Sequence, residues 1–152
     1  MGSRALFALL SAALMPSAGD PIAELKSRLD DMPGLRYTAG PGSVAVEPGS
    51  GDGFPVSVFA DDRGYVVSFH GWHEHFTDAE SAVDCFLFGL TDRARLKVSS
   101  RCGVDYKWTL EYRRDGQWVE DSTTGRLFFP FWCRRTTRYL RNRGTCAGQQ
   151  RP

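Results

Sequence analysis

The chain lacks any apolar run long enough to cross a bilayer as a helix. Its longest, Ala5–Met15 (ALFALLSAALM), falls well short of the roughly 20 residues such a span needs. The four cysteines, Cys85, Cys102, Cys133 and Cys146, contain no CxxC pair, which argues against a zinc ribbon. There is no G-x-S-x-G, no glycine-rich phosphate loop and no cysteine in an arranged nucleophilic setting, so common enzyme signatures are missing. Internal repeats and low-complexity tracts are absent. Acidic residues stop at Asp121, and histidine occurs only three times, all within His70–His75.

What is present describes a small globular domain. A 152-residue chain that is 41% hydrophobic and 24% charged can bury a real core and is not of disordered composition. The formal net charge of +1 names no partner, but its distribution is uneven. Seven arginines and no acid lie from Ser122 onward, which leaves −6 on Met1–Asp121. The Ala5–Met15 run, followed by Pro16 and the small residues Ser17–Gly19, suits a signal peptide; a short apolar N-terminal helix is the alternative. Localisation therefore stands evenly between cytoplasmic and exported or periplasmic. Export would let the cysteines pair, whereas a cytoplasmic chain would keep them as thiols. Cys85, in an apolar helix, reads as an inert buried thiol. The expected organisation is 1–19 as leader or apolar helix, 20–132 as one α+β domain, and 133–152 as a basic C-terminal tail.

Local signals place the elements. Asp20 can cap a helix that begins with Pro21, carries Ile22, Leu25, Leu29 and Met32 on one stripe, and stops at Pro33-Gly34. Ser43–Pro48 is a short extended piece. Phe54–Phe69 reads as a hairpin about Asp61–Gly64, its second strand running on toward His70 and Trp72. Thr77 and Glu80 fit a capping box for a helix over 78–90, with Ala82, Val83, Phe86 and Leu90 on its apolar face. Ala94–Ser99 and Val104–Tyr112 are strands; the second alternates Tyr106, Trp108, Leu110 and Tyr112 against Asp105, Lys107, Thr109 and Glu111. Asp115-Gly116 turns the chain into a return strand. A last strand is expected over Arg126–Trp132, at an edge or bulge because of Pro130. A short helix is expected after Cys133, with Arg134, Arg138 and Arg141 on one face. The predicted fold is α+β: an antiparallel, mostly meander sheet of about six or seven strands packed on two helices.

Three groups of residues could carry chemistry. On a strand, His73 and His75 leave one face in parallel and can share a metal; His70 joins them only if Gly71 marks a bulge, and zinc needs a further ligand. The plainer reading is a strand whose polar end leaves the sheet, and it outweighs a metal centre. The aromatics Trp72, Tyr106, Trp108, Tyr112 and Trp118, with Phe128, Phe129, Phe131 and Trp132, could wall a pocket for a small apolar ligand, although aromatics more often make up the core. Arg134, Arg135, Arg138 and Arg141 could hold an acidic protein partner; nucleic acid is disfavoured by the acidic body and the missing recognition motifs.

The expected function is a non-enzymatic binding or protein-interaction module that uses the aromatic sheet face or the arginine-rich tail, with no cofactor. The alternatives are a small enzyme with a pocket on the sheet, zinc-dependent through HGWHEH, and a structural envelope component if the chain is exported. Exposed strand edges leave homodimerisation open.

Overall fold

The computed structural model describes residues 20–144; the candidate leader 1–19, together with Cys146 and Arg151, lies outside the described residues. Helix α1 spans Pro21–Asp30 and α2 spans Ala79–Gly89. Nine strands complete the described fold: β1 Tyr37–Gly40, β2 Ser43–Val46, β3 Val56–Asp61, β4 Gly64–Phe69, β5 Trp72–Phe76, β6 Ala94–Arg101, β7 Val104–Arg114, β8 Gln117–Gly125 and β9 Arg135–Leu140. The fold is α+β and mostly antiparallel, as the element pattern predicts. The strands number more than six or seven and divide into two sheets. Strands β1-β2-β3-β4-β5 form a five-stranded meander, and β8-β7-β6-β9 form a four-stranded sheet in which the chain returns to the free side of β6.

The first helix begins as its sequence requires. Asp20 accepts a hydrogen bond from the Ile22 amide, Pro21 occupies the first turn, and Ile22, Leu25 and Leu29 are buried. The second helix is capped one residue later than the capping-box pattern suggests: the carboxylate of Asp78, not the Thr77 hydroxyl, accepts from the Ser81 amide at 2.8 Å. Either residue can cap, and the exit of β5 at Phe76 decides between them. Ala82, Val83, Cys85, Phe86 and Phe88 of α2 enter the core. There they meet Val56, Val67 and Phe69 of the first sheet and Leu96, Val98, Trp108 and Leu110 of the second. One core is thus shared by both sheets and both helices.

The HGWHEHF stretch is a tight turn followed by a strand rather than one continuous strand. Phe69 pairs with Trp72, so His70-Gly71 is a two-residue connection, with His70 at φ 55°. Gly71 is required here by close approach, because a methyl group on it would collide with the Trp108 ring. Along β5, Trp72 and Phe76 are buried while His73 and His75 face outward. Two more glycine-containing turns, Cys102-Gly103 and Asp115-Gly116, have both residues in the left-handed region and join β6 to β7 and β7 to β8.

The C-terminal third departs most from its sequence pattern. The expected strand over Arg126–Trp132 does not form, and the expected helix after Cys133 is strand β9 instead. Leu127–Trp132 is an unbroken apolar run with no alternation and with a proline that cannot donate to a ladder, so it has neither a face to bury nor a full set of donors. Thr136, Thr137 and Tyr139 suit a strand, and β6 offers an open edge. Residues 135–140 of the stretch expected as a tail are therefore part of the sheet. Beyond them, the Asn142 side chain binds the domain to itself: Oδ1 accepts from the Phe54 amide, and Nδ2 donates to the carbonyls of Phe54 and Gly89, each at 3.0 Å.

Candidate functional site: an aromatic arm with a basic root

Between β8 and β9 the chain leaves the second sheet as an arm, Arg126–Arg134 (RLFFPFWCR). Its root is fixed at several points. The Arg126 amide donates to the Tyr106 carbonyl at 2.7 Å. Phe129 folds back and stacks on the Tyr106 ring, centroids 4.2 Å apart. A disulfide joins Cys133 to Cys102, which sits at the tip of the β6–β7 hairpin. The Arg101 guanidinium donates to the carbonyl of Phe131 at 3.0 Å and to that of Cys133. It lies 5.8 Å from the Tyr106 ring centroid, so cation and ring share the root.

With Phe129 turned inward, the other apolar residues project. Leu127 and Phe128 are each 91% exposed, Phe131 is 72% exposed and Trp132 76%. Water-exposed single leucines are ordinary, but four large apolar side chains within six residues are not. Arg126 precedes this run, and Arg134 and Arg135 follow it. Arg134 and Arg135 make no ion pair among the described residues. The arm therefore combines an exposed apolar tip, arginines before and after it in the chain, and a covalent clamp.

The residues singled out from sequence are distributed otherwise. Trp72 is buried, stacked on Phe69 at 4.8 Å, and its Nε1 donates to the Ser122 hydroxyl at 3.1 Å, linking the two sheets. Tyr106 and Trp108 are buried, Trp108 against Gly71; Tyr112 packs partly against the core. Trp118 lies on the far side of the second sheet, under the guanidinium of Arg95 (4.4 Å) and near that of Arg141 (5.4 Å). Arg95 is sandwiched between Trp118 and Tyr139 and donates to the buried Glu111 carboxylate at 2.6 Å. The aromatic set is thus split among core, an arginine-covered face and the arm.

The arginines are split as well. Arg138 forms a two-pronged contact with Asp105, 2.6 and 2.5 Å. Asp105 also accepts from Ser100 Oγ at 2.5 Å and faces His70 Nε2 at 3.4 Å. The Arg138 bonds, aided by Ser100 and His70 and opposed by partial burial, hold the Asp105 carboxyl well below the usual range. Arg141 donates to the Asp92 carbonyl and sits 3.6 Å from its carboxylate. His73 and His75 share the exposed face of β5, ring centroids 6.3 Å apart, while His70 sits in the turn before it, beside Asp105. Among the described residues, no three His, Cys, Asp or Glu side chains come together as a metal-ligand set. No helix among them is long and apolar enough to cross a membrane.

The sequence pattern predicts a strand for Leu127, Phe128, Phe131 and Trp132, and nothing in it singles out Leu127, Arg101 or Asp105 as a functional residue. The signal for the arm was the loss of alternation across an apolar run bracketed by arginines. Fold and arm together define a small two-sheet α+β domain that presents a clamped aromatic loop. No family model, curated protein or solved structure is significantly similar to the chain.

Proposed function

We propose that the protein is a non-enzymatic interaction domain whose contact surface is the arm. The observation that carries this reading is the exposure of Leu127, Phe128, Phe131 and Trp132 on a loop closed by the Cys102–Cys133 disulfide. Folding leaves these side chains in water although hydrophobic burial is its main driving force, and the clamp removes much of the ordering cost that a free loop would bear on binding. Arg126, Arg134 and Arg135 add a preference for negative charge. Two other parts of the expected surface, Arg138 and Arg141, are engaged within the domain.

A photo-crosslinking side chain at position 128, in the full chain expressed in its own cell, tests the proposal. The expected result is an adduct at 128 that is absent when the same group replaces Asp62 in the exposed β3–β4 turn. Equal labelling at the two positions, or none at either, removes the arm as a contact surface.

A further inference from the structure

We infer that the partner of the arm is an anionic lipid surface, into which the tip inserts; this rests on the reading of the arm as the contact surface. Three features point to lipid. The tip is built of the exposed Leu127, Phe128 and Phe131, side chains suited to an acyl environment. The residues flanking that tip are of the kind found at a headgroup boundary: Trp132, then Arg134 and Arg135 on one side, and Arg126 on the other. Arginines at the base of an inserted loop would lie at the depth of the phosphates.

The charge distribution supports the same orientation. The arm and the first residue of β9, Arg126–Arg135, hold three arginines and no acid, and Asp105 is already paired with Arg138 of the edge strand β9. Of the arginines from Ser122 onward, Arg138, Arg141 and Arg143 face Asp105, Asp92 and Asp52, which leaves Arg126, Arg134 and Arg135, in no ion pair among the described residues, as the charges that an anionic surface would attract. The molecule would therefore approach arm first. The Cys102–Cys133 bond and the Phe129–Tyr106 stack hold the root, so insertion would not require the arm to fold first.

The test is co-sedimentation of the full chain with vesicles of phosphatidylcholine, with and without phosphatidylglycerol, at low and high salt. Wild type is expected on the anionic vesicles, more weakly on the neutral ones, with binding reduced by salt. Phe128→Ser should lower the partition coefficient about tenfold or more. Arg134→Gln with Arg135→Gln should lower it by a similar factor on anionic vesicles and little on neutral ones. Phe59→Ser, a change at an exposed apolar residue on β3, should leave it unaltered. All variants keep Met1–Gly19, so their differences read the arm alone, and matched thermal melts show that each is folded. Failure of wild type to bind anionic vesicles, or equal losses from Phe128→Ser and Phe59→Ser, overturns the inference. If vesicle binding fails while position 128 crosslinks to a protein or to a second copy of the chain, lipid is wrong and the interaction arm stands. If neither vesicles nor crosslinks report the arm, both readings fall.

Discussion

Asn142 shows how much one side chain can hold. It satisfies the amide and carbonyl of Phe54 and the carbonyl of Gly89, so the segment after β9 is tied to the start of β3 and the end of α2. Asn142→Ala would strand these buried groups and should cost about 2–4 kcal/mol in denaturant unfolding; an unchanged midpoint would mean that the clamp is not formed. Asp105 offers a second test through pH. Its folded-state pKa is depressed by Arg138, so its contribution is present above the unfolded carboxyl value and lost as pH falls toward the folded value. Asp105→Asn should therefore be less stable than wild type by about 1 kcal/mol at neutral pH, a modest figure because Arg138 is half exposed. The gap should hold down to about pH 5 and shrink below about pH 4. A gap independent of pH down to strong acid would show that the ion pair is not its source. None of these partnerships was legible in the sequence, because the contacts join residues 33 or more apart in the chain.

Among the elements, legibility followed local chemistry. The α1 cap and the Asp115-Gly116 hairpin are each decided by a few adjacent residues, and the structure has both; β7 forms, but its burial alternates only as far as Trp108, since Thr109 and Glu111 are buried as well and the register shifts at Leu110–Glu111. The α2 cap was one residue out, and this can be tested directly: Asp78→Ala should cost about 1 kcal/mol and Thr77→Ala clearly less, read by thermal unfolding. The reverse order would restore Thr77 as the cap. Strand β1 was missed although Pro41-Gly42 marks the turn after it, since four residues with one large side chain carry little periodic signal. Strand β9 was mistaken for a helix because arginines at three- and four-residue spacing fit a helix face. In the strand, Arg138 and Tyr139 point to opposite sides, one to Asp105 and the other to Arg95. The candidate site suffered the same error: a strand was expected where a non-alternating apolar run leaves the sheet.

At the scale of the molecule, the Cys102–Cys133 bond joins the β6–β7 hairpin to the arm across 31 residues of sequence. Replacing both cysteines by serine should lower stability by about 2–5 kcal/mol and weaken any binding that depends on the arm's fixed root. Such a bond persists in oxidising compartments, which favours the exported alternative. Protein alkylated at lysis and digested without reductant should yield the linked Cys102 and Cys133 peptides. Recovery of both as alkylated thiols would place the chain in a reducing compartment and remove the clamp from the account of the arm.

The sequence by itself determined the class of fold, both helices, the hairpins at Asp61–Gly64 and Asp115-Gly116 and the uneven distribution of charge along the chain, because these depend on composition and on neighbours within a turn or two of the chain. Tertiary structure alone decided that the strands divide into two sheets, that β9 returns to pair with β6, and that Cys102 meets Cys133. It also decided which aromatics are buried: Trp72, Trp108 and Phe131 are equally apolar in sequence, yet two enter the core and one stays in water. Burial depends on which surfaces meet when distant strands pair, and that pairing is not encoded in any single stretch.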